Sequence, residues 1–226
     1  MIIIAHRGAS GYKPENTIDA FETAIEMGAD FIEIDVQQTS DGKIVIWHDT
    51  RLENGQALED LTYAQLQSRA ARRNLEVLLL ASVLERISSR IGINIEIKTV
   101  RIIDQLLDEI TVFDKNKLII SSFNHKYIKT IQSKAPELEM GTLIVSRLLD
   151  PLAILNSLNS EILIQHFEHV DQEYVDFLHK NKKKIFVWNI NNQPDMLKFK
   201  KIGVDGIFTD YPDLAVRIEK NTNFEF

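Results

Sequence analysis

The chain opens on a short apolar run, Ile2-Ile3-Ile4-Ala5, of the kind that marks a buried strand. Gly8, Gly11 and Pro14 then break the pattern. A helical period follows. Asn16 is placed to cap it, Asp19 falls in the first turn, and Ala20, Phe21, Ala24, Ile25 and Met27 make one apolar face. Gly28 ends that helix, and Phe31 to Val36 reads as the next strand. Asp41-Gly42 separates it from Lys43 to Trp47, a strong hairpin signature. Regularity is lost over 51–80. There Asn54-Gly55, a helix-like stretch near Thr62 to Arg73 and clustered arginines predict a loop-rich excursion. A helix over Ser82 to Arg90 then leads to a strand at Ile93 to Ile97.

The remainder alternates. Strands are expected at Leu118 to Ser122, Met140 to Val145, Glu161 to Gln165, Lys184 to Asn189 and Asp205 to Thr209. Helices are expected at Ile102 to Ile110, His125 to Lys134, Pro151 to Leu158, Gln172 to Lys180, Pro194 to Ile202 and Asp213 to Lys220. A strand–helix unit every ~20 residues implies βαβ units and a parallel sheet. A two-residue turn cannot hold a parallel crossover, so Lys43 to Trp47 runs antiparallel to its predecessor and leaves the wall. The strands that remain suit an α/β TIM (β/α)8 barrel, with a short hairpin and a loop-rich insertion after the second strand. A doubly wound open sheet is the competing arrangement. No repeat or linker divides the chain, so 1–226 reads as a single barrel domain.

Composition narrows the chemistry. With 226 residues, 44% hydrophobic and 26% charged, the chain can bury a large core. It has no cysteine, which excludes thiol nucleophiles, Cys-ligated zinc and disulfides. The formal charge of −7 argues against a nucleic-acid partner. No apolar run approaches the ~18 residues of a membrane span, and His6-Arg7 interrupts the N-terminal apolar run where a secretory core would continue. A cytoplasmic protein without membrane insertion is expected.

In a barrel, reactive groups lie at the C-terminal strand ends. The first three wall strands there carry His6-Arg7, Glu33 and Asp35, and Glu96 and Lys98. The later ends offer Ser121/Phe123, Arg147 (further out), His166, Trp188/Asn189 and Asp210. Glu33 and Asp35 are two apart in a strand and share a face. Adjacent carboxylates in an apolar mouth repel unless a cation joins them, and three with no soft ligand suit Ca²⁺ or Mg²⁺. The alternative is an ion network in which Glu33 and Asp35 pair with Arg7 and Lys98. If Asp41-Gly42 is a two-residue turn, Asp35 lies opposite His48, which brings His48 to the cluster. Two imidazoles, three acids and two cations suit phosphodiester hydrolysis: cations stabilise phosphoryl charge and His supplies acid and base near neutral pH.

At this point the sequence resembles a family, the glycerophosphodiester phosphodiesterases. His6-Arg7-Gly8, Pro14-Glu15-Asn16-Thr17, Gly28-Ala29-Asp30, Ile32 to Val36, Thr39-x-Asp41-Gly42, His48-Asp49, Asn94 to Lys98, Ser121-Ser122-Phe123, Trp188 to Asn191 and Gly203 to Asp210 follow that family's order. The resemblance implies a TIM barrel that hydrolyses glycerophosphodiesters to sn-glycerol 3-phosphate and an alcohol. It implies a divalent ion on Glu33, Asp35 and Glu96, His6 and His48 as acid/base pair, and Arg7 and Lys98 on the phosphate. The substrate's own 2-hydroxyl would act as nucleophile, through a cyclic phosphate. Phe123 and Trp188 resemble the apolar wall against the glycerol backbone. The chain departs from the family after the second His, where Arg51 to Gly55 is short and lacks Arg-Thr-Thr, and at Val77 to Val83, which lacks the usual Pro. This bears on alcohol specificity. Lysophospholipid or inositol-type diesters, or phosphodiester binding without turnover, are the rival functions.

Four other features are expected to lie outside the chemistry. His166 and His169 read as polar rim, and His125 and His179 as helix surface. Lys180 and Lys182 to Lys184 form a basic run that suits a helix C-terminus. Asn221 to Phe226 reads as a loose tail that could meet a second copy.

Overall fold

In the computed structural model, which describes residues 1–101, 103–111 and 113–220, ten strands form one sheet. They are β1 (Ile2–Ala5), β2 (Phe31–Gln38), β3 (Ile44–Ile46), β4 (Leu78–Leu79), β5 (Gly92–Thr99), β6 (Leu118–Ser122), β7 (Glu139–Ile144), β8 (Ile162–His166), β9 (Lys184–Trp188) and β10 (Gly206–Thr209). Eight of them, all but β3 and β4, are parallel neighbours in chain order, and β1 pairs with both β2 and β10. The sheet therefore closes on itself as a (β/α)8 barrel, and the open doubly wound alternative is excluded. The predicted tail at Asn221 to Phe226 and the start of the expected helix at Ile102 lie outside the described residues.

The helices are α1 (Ile18–Glu26), α2 (Tyr63–Ala71), α3 (Leu80–Ile87), α4 (Ile103–Ile110), α5 (His125–Lys134), α6 (Pro151–Leu158), α7 (Gln172–Lys180), α8 (Gln193–Ile202) and α9 (Pro212–Lys220). Local chemistry sets several of their ends. Asp150 caps α6 with Pro151 at its first position, and Gly203 closes α8 at φ +81°. Alternate residues of the wall divide the core. Ile32, Ile34 and Val36 pack outward against α1, α3 and their neighbours, while Ile4, Ile119, Ile164, Phe186 and Phe208 fill the barrel interior. The floor of that interior needs a glycine at position 92, because a Cβ there would lie 2.5 Å from the Phe31 ring.

Two expectations are corrected here. The hairpin loop has three residues, not two. Thr39 N–H donates to the Lys43 carbonyl at 2.9 Å, and Gly42 takes φ +81°, the left-handed residue that closes such a loop. The pairing is Val36 with Ile46 and Gln38 with Ile44, so Trp47, not His48, stands opposite Asp35. Its amide donates to the Asp35 carbonyl at 3.0 Å. The insertion is also more ordered than a loop-rich excursion. Thr62 and Gln65 form a capping box for α2, and β4 pairs with β3. Val45, Leu58, Leu61, Leu66, Ala70 and Val77 make a satellite core there, which gives the segment its own reason to fold.

Candidate functional site

The parallel register of β2 and β5 sets Asp35 beside Glu96 and Glu33 beside Asn94, on the interior face. Glu33, Asp35 and Glu96 each present an oxygen within 4.8 Å of the other two, and all three are buried. His6, Arg7, His48, Lys98, Phe123 and Trp188 line the same cavity of about 150 Å³ as Glu33 and Glu96. The structure thus brings together the residues singled out in the sequence. Arg7 takes φ +55°, which turns its amide inward to donate to Glu33 Oε2 at 2.8 Å.

The ion network alternative accounts for only part of this cluster. Asp35 does meet both cations: Arg7 Nε at 3.2 Å and Lys98 Nζ at 3.2 Å. Lys98 also bonds Glu96. Burial works to raise the Asp35 pKa, but Lys98 and Arg7 overcome it and hold the group below the usual carboxylate range. Glu33 has no side-chain cation partner of this kind. Burial, and then the charges of Asp35 and Glu96, push it well above the ordinary range. Glu96 is raised as well, first by burial. Among the described residues Glu33 Oε1 and Asn16 Oδ1 are buried without a hydrogen-bond partner, and Asp35 Oδ1 meets only the Lys98 ammonium at 3.2 Å. Such orphaned hard oxygens are costly and are explained by a divalent cation among them. The residues present therefore fit the metal that the sequence implied.

Each imidazole has a carboxylate on Nδ1. His6 Nδ1 lies 2.7 Å from Asp210 Oδ1, a contact that favours the proton on Nδ1 and makes Nε2, 3.3 Å from Asn189 Nδ2, the basic nitrogen. Asp210 also accepts from Ser10 Oγ at 3.0 Å and from Asn191. Burial raises the Asp210 pKa, yet these donors keep it below the ordinary value. Asn189 Nδ2 lies 2.9 Å from His6 Nδ1. His48 Nδ1 faces Asp49 Oδ1 at 2.8 Å. Gln37 fixes the backbone of that segment by donating to the carbonyls of Trp47, His48 and Asp49. On the far side, Phe123 and Trp188 pack edge to face at 5.4 Å, and Lys98 Nζ lies 5.9 Å from the Phe123 ring.

Sequence reasoning missed part of the site. Asn16 is no helix cap. Thr17 caps α1, while Asn16 sits buried at φ +57° and donates to Asp35 Oδ2 at 2.9 Å. A signal was present, since only one of two consecutive polar residues can cap a helix and Asn tolerates the left-handed region. Asn191 belongs to the Trp188 to Asn191 motif, although no role for it followed from the motif, and Gln37 had no such signal. Among residues set aside, His125 is half-buried and faces the Leu143 carbonyl at 3.0 Å, so it is not surface. His179 is exposed and pairs with Asp205. His166 lies 4.9 Å from the Trp188 ring. The basic run is divided, because Lys183 is buried against Ser160 and Glu161 and Lys184 pairs with Glu139. Arg147 turns away to Asp171 and the Tyr174 ring.

A closed parallel barrel with acids, imidazoles and cations gathered at one mouth defines a hydrolase of the phosphoric diester class. The glycerophosphoryl diester phosphodiesterase family model matches residues 6–214, and the chain belongs to that family. A glycerophosphodiester phosphodiesterase of Caldanaerobacter subterraneus subsp. tengcongensis is 34% identical, over 96% of this chain and 97% of its own. One from Bacillus altitudinis is 32% identical over 96% and 98%. Among solved structures, a phosphodiesterase of Oleispira antarctica in complex with the product sn-glycerol-3-phosphate superposes with a TM-score of 0.89. It is 25% identical, over 98% of this chain and 97% of that one. Among the described residues no helix is long and apolar enough to cross a membrane.

Proposed function

We propose that the chain hydrolyses small glycerophosphodiesters to sn-glycerol 3-phosphate and an alcohol, using one divalent ion and two histidines. The observation that carries this reading is the buried trio Glu33, Asp35 and Glu96, with Glu33 Oε1 left unpartnered, beside a small cavity that Glu33 and Glu96 share with His6 and His48. The Oleispira relative was solved with the product sn-glycerol-3-phosphate, and the cavity here has Arg7 and Lys98 in its wall to meet a phosphate.

Glu33, Asp35 and Glu96 would hold Ca²⁺ or Mg²⁺, which supplies positive charge to the phosphoryl oxygens. Arg7 and Lys98 add fixed positive charge at the same place, and burial raises its effect. Burial alone lowers the Lys98 pKa, but Asp35 and Glu96 raise it further, so its ammonium stays charged. The Ser121 hydroxyl that lines the cavity is engaged in donating to Asn94 Oδ1 at 3.0 Å, and in this reading the substrate's glycerol 2-hydroxyl attacks phosphorus. One imidazole takes its proton while the other protonates the departing alkoxide, and a cyclic phosphate forms. Water then opens the ring with the two roles exchanged. Asp210 keeps the His6 proton on Nδ1 so that Nε2 faces the reaction. Phe123 and Trp188 provide an apolar wall for the glycerol carbons.

The test is release of sn-glycerol 3-phosphate from glycerophosphocholine and glycerophosphoethanolamine. Loss of activity in EDTA, its return with Ca²⁺ or Mg²⁺, and its loss in His6→Ala and His48→Ala are expected. Hydrolysis that survives both histidine changes defeats the mechanism. Turnover of lysophosphatidylcholine alone defeats the substrate assignment.

A further inference from the structure

Two hollows are lined in part by the 51–80 insertion and by Trp47, next to His48. One of about 420 Å³ has Trp47, Leu52 and Leu66 on its apolar side and Arg69, Arg72 and Arg73 on the other. A second, of about 260 Å³, shares Trp47 and Arg73 with the first and His48 with the mouth cavity. Through these shared walls the outer hollow neighbours the second, and the second neighbours the mouth cavity.

The charge of the outer hollow is opposite to that of the chain. Three arginines and Glu53 line it, in a protein of net charge −7. Arg73 meets Glu53 at 3.4 Å. Among the described residues Arg69 and Arg72 have no ion pair or hydrogen bond. Arg69 stands in the last turn of α2, Arg72 is its C-cap and Arg73 follows, so the helix end favours these cations, and it sets them beside Trp47, Leu52 and Leu66 around one hollow. Guanidinium forks match phosphate oxygens in pairs, and Trp47 with two leucines suits a methylene stem.

We infer that this hollow is a subsite for the alcohol portion of the diester, selective for alcohols with an apolar stem that ends in a second phosphate. The inference rests on the phosphodiesterase reading above and assigns the part of the substrate beyond the scissile phosphate.

Two synthetic diesters test it. Both join sn-glycerol 3-phosphate to 1,6-hexanediol, and one carries a phosphate on the far hydroxyl. The wild type is expected to favour the phosphate-terminated diester by about tenfold in kcat/KM, the scale of one charge-assisted contact. The Arg69→Gln/Arg72→Gln double variant should bring that ratio near one, and Arg69→Lys/Arg72→Lys should retain part of it. Calorimetry with 1,6-hexanediol monophosphate alone gives a second reading, with binding to wild type and weakening in the glutamine variant. A wild-type ratio near one, or a ratio kept by a glutamine variant with a native thermal midpoint, overturns the inference. If no diester turns over, the phosphodiesterase reading fails, and the calorimetric arm still decides this one: absence of binding to wild type rejects the subsite.

Discussion

The mouth of the barrel has two unlike arcs. The ends of β1, β2 and β5 carry His6, Arg7, Glu33, Asp35, Glu96 and Lys98, where charges are buried against one another. The arc from β6 to β9 presents Ser121, Leu143, Phe123 and Trp188 to the same cavity, with no ionisable group among them. The first arc leaves a carboxylate oxygen, Glu33 Oε1, buried without a hydrogen-bond partner. The unpartnered atoms of the second belong to neutral or imidazole side chains, Thr142 Oγ1, Gln165 Oε1 and His166 Nδ1, while Phe123 and Trp188 pack on each other and Trp188 Nε1 donates to the Ile164 carbonyl at 3.3 Å. The difference teaches that one half of the rim is arranged to act on a charged group and the other to receive carbon. Changes to the two arcs should therefore fail in different ways.

The largest effect is expected at Glu33. Glu33→Gln should reduce kcat/KM by about 10³-fold or more, because several kcal/mol of charge stabilisation depart with the ion. Metal-free stability should be unchanged, since burial already favours a neutral Glu33. The discriminating measurement is the thermal midpoint with and without Ca²⁺ or Mg²⁺, which should rise with metal in the wild type and not in the variant. A metal response that persists would remove Glu33 from the proposed ligand set.

A smaller effect is expected at Asp210, which sits behind the charged arc. Asp210→Asn should lower kcat by about tenfold to a hundredfold, a fraction of the ~10²–10⁴ that a positioned acid or base contributes. KM should hardly change. The substitution also has a pH signature in stability. The folded-state pKa of Asp210 is depressed, so its stabilising contribution is present above the ordinary carboxylate value and is lost as pH falls through the folded value. Urea midpoints of wild type and variant should differ at neutral pH and converge in acid. Parallel curves at all pH values would contradict the assigned contact.

The mildest effect belongs to the neutral arc. Phe123→Ala and Trp188→Ala should raise KM by about tenfold, roughly 1.4 kcal/mol of uniform binding, with kcat little altered. A fall in kcat with unchanged KM would mean that the aromatic pair contributes to the reacting geometry rather than to fit.

Much of this was legible in the chain itself. The wall strands and the positions of α5, α6 and α7 follow from apolar period and capping residues, and closure follows from their number and spacing. The two-residue spacing of Glu33 and Asp35 put both on one face before any contact was known. The hairpin register was not legible. Asp41-Gly42 is compatible with two- and three-residue loops, and the choice rests on Gly42 in the left-handed region and on the Thr39–Lys43 pairing. His48 reaches the cluster one residue beyond the opposed pair, held there by Gln37, whose role depends on a chain segment ten residues away. The insertion misled for a related reason. Its satellite core draws Val45 from β3 and Leu66 from α2, and neither shows a long periodic pattern alone.

The sequence by itself determined the class of fold, the acidic and imidazole inventory and the strands that carry it, because period and strand-end position are local properties. The tertiary structure decided which oxygens are left without partners, which carboxylate takes the cations and which has its pKa pushed up by burial, and which asparagine leaves a helix cap for Asp35. Those outcomes depend on burial and on distances between residues far apart in the chain, and the energy of a charge is set by its surroundings in space rather than by its neighbours in sequence.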